Sequence, residues 1–380
     1  MVLVSVGVFA VAAALFIAGN AKYWKGARPV AAFRAATAEL DPRTLHNLLA
    51  TPLDKIEQMD VALVNLLCAE GLPGAEGVEA SQCLRVLDRW AERVKAETAR
   101  HLYRFRANPS EFEHSEGYFR MLIMAVVVYE DFGVRYNPQR IALPSVSGSD
   151  DHFFADSRDI FLHGLLGERR IGTCSSMPVL YLAIGRRLGY PLKLATTKAH
   201  LFLRWEDGPS PHPSPGLTGR GSGERFDLEA TGRGMNRYDD AHFKQWPFPL
   251  TEEECRAEGY LKSLSPAEEL AVFLSLRGNC LREVGKLDAA AACYATAMEF
   301  APGLAAFRDL LASVQDKGNP GGARSLVETG ALLPTPVVDA VHSLHSRDSR
   351  GGPLRPASVV DSVSGKSLAL PDPNPLRSVR

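Results

Sequence analysis

The chain has 380 residues, 46% of them hydrophobic and 23% charged, which is enough apolar material for more than one domain. Its 43 Lys and Arg against 44 Asp and Glu leave a net charge of -1, so no basic surplus supports nucleic-acid binding. The six cysteines, Cys68, Cys83, Cys174, Cys255, Cys280 and Cys293, contain no CxxC pair and no Cys/His metal spacing. They read as free thiols in a reducing compartment, with no metal and no cofactor expected.

Residues 2–18 are uncharged and carry one Ser, the lower length limit for a spanning helix. Lys22, Lys25 and Arg28 follow, with Tyr23 and Trp24 at the expected interface. No Lys or Arg precedes the run, the opposite of a secretory signal. The expectation is a single-pass membrane anchor over residues 1–28 with the main domains in the cytoplasm. The rival is an exported chain with a poor cleavage site at Gly19-Asn20-Ala21.

Residues 34 to about 138 read as helical. Segments 60–70 and 80–106 show helical periodicity, with Leu, Val and Trp90 on one face of the second. Segment 118–128 is more uniformly apolar, as a core helix would be. Residues 144–151 are a polar turn. Asp150, Asp151 and His152 have no further partner at ligand spacing, so a loop is preferred to a metal site.

The chemistry-bearing stretch follows. Cys174, after Gly172-Thr173, opens an apolar run in which Met177, Leu180, Ala183, Ile184 and Leu188 recur at helical spacing. Pro178 suits a first turn and Gly189 a C-terminal stop. Segments 192–197, 200–205 and 225–230 are rich in strand formers, and the Pro/Gly/Ser-rich residues 208–223 form a long loop. Cys174 thus sits at a helix tip, with His200 and Asp227 on neighbouring strands. A helix N-terminus and an imidazolium both favour a thiolate, and a carboxylate holds the imidazole in the useful tautomer. The candidate triad is Cys174, His200 and Asp227. Taken singly, each residue is more often structural.

In Gly172/Cys174, Leu188-Gly189-Tyr190-Pro191, His200 and Phe226-Asp227 with Thr231, the chain resembles the transglutaminase-like superfamily of papain-like thiol enzymes. Upstream helical segments and a run through residues 156–170 resemble its bacterial SirB class. The resemblance spans roughly Leu40 to Thr231. It implies an α+β fold: a helical N-terminal region, then a papain/transglutaminase-like core of helix and antiparallel sheet, together over residues 34–258. Many SirB-class members lack the Cys that this chain has. The last motif is one residue longer than the common spacing, which sets Thr231, not Asp227, apart from the pattern. No oxyanion side chain is placed by motif, and the backbone N–H of Cys174 is the only candidate.

Residues 265–334 open with a capping box, Ser265-Pro266-Ala267-Glu268. Gly278, Leu281, Ala290, Tyr294, Ala297 and Pro302 then match the small/large spacing of a tetratricopeptide repeat, with a weaker second unit after Gly303. Ala290 and Ala297 are expected at a close helix–helix contact that Tyr294 fills. C-terminal α-hairpin repeats of this kind either bind a protein partner or extend the structure. Residues 335–380 are expected to be disordered for want of apolar residues.

Two functions compete. One is a membrane-anchored thiol enzyme that cleaves an amide or peptide bond of a protein or peptide substrate through an acyl-enzyme, or passes the acyl group to an amine. The other is an inactive scaffold that binds a partner through the repeats.

Overall fold

The computed structural model describes residues 30–140, 152–208 and 223–315. It is a mixed α+β structure with a four-stranded antiparallel sheet among the described residues. The helices that matter most here are α1 (Val61–Cys68), α2 (Ala80–Ala107), α3 (Glu116–Val126), α4 (Met177–Arg187), α5 (Asp240–Gln245), α6 (Pro266–Glu283), α7 (Leu287–Phe300) and α8 (Ala306–Gln315). The strands are β1 (Arg135–Tyr136), β2 (Ile171–Gly172), β3 (Leu192–Thr197), β4 (His200–Asp207), β5 (Glu224–Glu229) and β6 (Asn236–Tyr238). Strands β3 to β6 run in sequence order across the sheet, while β1 and β2 form a separate parallel pair.

Sequence explains most of the boundaries. Asp60 caps α1 by accepting from Ala62 N–H, and Ser115 caps α3 by accepting from Tyr118 N–H. The capping box at Ser265 and Glu268 is formed, with Pro266 as the first residue of α6. Segment 118–128 is split: α3 ends at Val126, and Val127–Asp131 continue as a π-helical turn. Gly189, with φ +74°, stops α4 in the left-handed region that favours glycine.

One hydrophobic core runs through the helical region, α4, the inner face of the sheet and α6 to α8. Helix α4 is buried along nearly its whole length, against α2 on one side and β3 and β4 on the other. Gly185 permits that second contact, because a Cβ there would lie 2.3 Å from Leu192 Cδ1. At the far end of α4, the fully buried guanidinium of Arg187 meets Asp60 at 2.5 Å and Asp88 at 2.9 Å. A buried arginine needs such partners, and here they tie three helical segments together.

The segment from residue 265 belongs to the same core. In α6, Arg277 donates to the carbonyls of Cys68 and Glu70, and Glu269 holds Arg186 of α4. Helices α6 and α7 form an antiparallel pair in which Ala290, Tyr294 and Ala297 are fully buried. Gly278 makes room for Tyr294: a Cβ on it would lie 2.4 Å from the ring. The expected second repeat extends past Gln315, outside the described residues, as do residues 335–380.

The expectation of a membrane anchor, and the membrane localisation built on it, require correction. No helix among the described residues is long and apolar enough to cross a membrane. The apolar α1 has only 8 residues, and α2, with 28, carries charges along one face. The apolar run at 2–18 lies outside the described residues.

Candidate active site

Cys174 is delivered by the β2 strand. Tyr136 of β1 pairs with Gly172 of β2, and Asn137 N–H donates to the Gly172 carbonyl at 2.8 Å. Helix α4 begins at Met177, so Cys174 lies in the turn that leads into it rather than at its first residue. That turn is tightly braced. Thr173 N–H donates to Ser176 Oγ at 3.0 Å, and both hydroxyls, Thr173 Oγ1 and Ser176 Oγ, donate to the Asp159 carbonyl. The Asp159 carboxylate is held by Asn137, Arg140 and Arg169. Side-chain hydroxyls thereby satisfy the turn that an unsupported loop would leave to water.

His200 opens β4, directly after the two-residue turn Lys198-Ala199. Its Nε2 lies 2.7 Å from Glu229 Oε2. The other carboxylate oxygen of Glu229 accepts from Thr231 N–H at 2.7 Å and from Thr231 Oγ1 at 2.5 Å. Nε2 being engaged, Nδ1 is the nitrogen left for the Cys174 thiol, which neighbours the imidazole. Burial alone would lower the pKa of His200; the Glu229 carboxylate and then the Cys174 thiol overcome it and hold the imidazolium up to about 10. Glu229 is pushed upward by burial but held below the ordinary carboxylate range by His200 and Thr231.

Asp227 is not the carboxylate that meets His200. The β4–β5 register sets it directly opposite Arg204, whose Nε donates to Asp227 Oδ1 at 2.6 Å and whose Nη2 donates to Oδ2 at 3.2 Å. Arg204 also contacts Asp240 at the start of α5 and donates to the Leu261 carbonyl at 2.8 Å. His200 is four residues back along β4, about 13 Å at the usual strand rise. Two further register steps, past Leu203 and Leu228, place Glu229 opposite Phe202 and hence diagonal to His200, within side-chain reach. Burial, and to a lesser degree the neighbouring Asp240 carboxylate, push the Asp227 carboxyl up to about 6 against the pull of Arg204.

Thr231, which the motif spacing set apart, is thus central to the arrangement as the clamp on Glu229. The lengthened motif was the available signal. Counting from Glu229 instead of Asp227 gives a short acid-to-Thr spacing that lets one residue hold the other.

Aromatic rings close around His200. The Trp246 ring centroid stands 4.8 Å from the imidazole at 74°, and His242 stacks on Tyr238 at 3.7 Å. An open polar cleft of about 450 Å³, lined by residues including Glu113, Arg225, Asp227 and Arg237, does not reach Cys174, His200 or Glu229. Among the described residues no group of three His, Cys, Asp or Glu is placed to hold a metal ion. His152 pairs with Glu283 at 2.9 Å on the surface.

The group Cys174, His200 and Glu229 has the parts for nucleophilic thiol chemistry: a thiol, an imidazole beside it, and a carboxylate fixing the imidazole. No family model, curated protein or solved structure matches the chain.

Proposed function

We propose that the chain is a thiol acyl-transfer enzyme in which Cys174 is the nucleophile, His200 the acid–base group and Glu229 the residue that orients it. The carrying observation is the imidazole of His200, held at Nε2 by a buried carboxylate and adjacent to the Cys174 thiol. The thiol proton already resides on His200 in a thiolate–imidazolium pair, and the thiolate attacks the carbonyl of an amide or peptide. The imidazolium then protonates the leaving amine as the C–N bond breaks, leaving a thioester on Cys174. Water, deprotonated by His200, attacks the thioester and regenerates the thiol; an amine in its place gives transamidation. Hydrolysis is preferred, because water is the default acceptor unless a site excludes it.

The motif resemblance to transglutaminase-like, papain-like thiol enzymes supports this reading, with Glu229 taking the acidic role. The tetratricopeptide-like α6–α7 hairpin is read as a structural extension, since α6 is buried in the core rather than offering a groove.

The test is labelling by a peptidyl acyloxymethyl ketone, an amide-mimic electrophile, at neutral pH. Native protein should be labelled at Cys174, with His200→Ala slowed and Cys174→Ala unlabelled. Equal labelling of native protein and Cys174→Ala would remove the proposal.

A further inference from the structure

An acyl transfer of this kind passes through a tetrahedral intermediate whose oxygen carries a negative charge, and that oxygen needs donors fixed in advance. The backbone N–H of Cys174 is one. A second is found on β1. Pairing of Tyr136 with Gly172 brings the Tyr136 side chain to the turn that carries the nucleophile. Its hydroxyl is buried and has no hydrogen-bond partner of good geometry. Its polar neighbours are the thiol and the backbone N–H of Cys174. A buried hydroxyl left unpaired is unfavourable by about 1–3 kcal/mol, and such groups in a native fold call for an explanation.

We infer that Tyr136 is a catalytic residue whose Oη–H donates, together with the Cys174 N–H, to the oxyanion formed on Cys174. The inference rests on the thiol acyl-transfer reading above. The hydroxyl makes no well-formed bond at rest because the acceptor it is set to meet exists only during the reaction. Interactions made only at that stage lower the barrier, whereas those made equally in the ground state do not. Burial, and then the neighbouring Cys174 side chain, push the Tyr136 phenol well above its ordinary range. The hydroxyl therefore stays protonated and remains a donor. The bracing of the loop matches this role: Asn137, the next residue, is locked to Gly172 through its backbone and to Asp159 through its side chain. Donor and nucleophile are thus held by the same two-strand pair.

The experiment compares two reactions of one thiol. Acetylation of Cys174 by p-nitrophenyl acetate forms an oxyanion; alkylation by iodoacetamide displaces iodide and forms none. In Tyr136→Phe, acetylation should slow by about 10²–10³-fold, while alkylation of the same sample stays near native. The denaturation midpoint should not fall, because the lost hydroxyl had no partner to forfeit. Acetylation of Tyr136→Phe at the native rate would overturn the inference while leaving the thiol reading intact. A native protein that alkylates at Cys174 but never acetylates there would overturn the thiol reading itself, and the inference with it. A lowered midpoint with parallel slowing of both reactions would mark Tyr136 as structural and also overturn the inference.

Discussion

Glu229→Gln and Asp227→Asn separate two buried carboxylates that lie on one face of one strand. Glutamine at 229 keeps the size and can still accept from Thr231. Its amide would, however, point N–H groups at His200 Nε2. The imidazole would have to turn that nitrogen into an acceptor and carry its proton on Nδ1, towards Cys174. That is the wrong tautomer for a base, and the expected loss in acylation rate is about 10²–10⁴-fold. The stability change should be about 1–2 kcal/mol, because His200 can become neutral and the shape is retained. Asparagine at 227 does the reverse. Arg204, with a side chain 1% exposed, loses its bidentate partner but keeps Asp240 and the Leu261 carbonyl. Breaking such a buried pair should destabilise by about 3 kcal/mol, while acylation per folded molecule is retained. Urea unfolding followed by p-nitrophenyl acetate acylation under native conditions reads both. If Asp227→Asn abolished acylation at unchanged stability, and Glu229→Gln were silent, the assignment of the acid would be refuted.

Cys174 should alkylate fastest of the six thiols at pH 6–7, since burial pushes the thiols of Cys68, Cys83, Cys255, Cys280 and Cys293 upward and none of these has an imidazole beside it; mass spectrometry with a limiting reagent gives the ranking, and uniform rates would count against it. His200 is raised from about 6.5 to about 10 on folding, so its contribution to stability is complete below pH 6.5 and is lost as pH rises towards 10. The unfolding free energy should therefore fall between pH 7 and 10, at a slope of up to ~1.4 kcal/mol per pH unit, and fall less in Glu229→Gln; equal slopes in urea unfolding would show that the pair is not the source. Gly278→Ala should destabilise by about 1–3 kcal/mol, because its Cβ meets the Tyr294 ring at 2.4 Å, and chemical denaturation would detect it. Ala297→Arg, placing a charge at a fully buried contact, should prevent soluble expression.

Much of the site was legible in the residues themselves. The apolar period from Met177 to Leu188, with Pro178 in its first turn and Gly189 after it, marks α4 to within three residues. The β-rich segments mark β3, β4 and β5, and the Ser265 box marks α6. Pairing of Cys174 with His200 follows from their settings. What could not be read was register. Asp227 and Glu229 share one face of β5, and only the alignment of Leu203 with Leu228 decides which faces Arg204 and which reaches His200. Tyr136 was hidden for a related reason: β1 is two residues long, too short for any periodicity, and its value comes from a distant partner strand. The lead-in turn of α4 was read as helix because Thr173–Ser176 have no breaker; hydroxyl bonds to Asp159 hold them apart from it.

The close approach at Gly185 carries a consequence for how this protein can vary. The thiol belongs to the helical layer, anchored through Arg187 and its two aspartates, whereas base and acid belong to the sheet. Their alignment depends on the spacing between layers, and Gly185 against Leu192 is one point of close approach. A single methyl group there, about 12 Å along α4 from the nucleophile's turn, would act as a wedge. Leu192 is fully buried and its side chain has little room to turn aside, so the strain would fall on the spacing between sulfur and imidazole, with every reactive group still present. Tolerance to substitution should therefore follow the joint between the layers as well as proximity to Cys174, and drift at Gly185 or Leu192 would part the thiol from the imidazole in a chain that still folds.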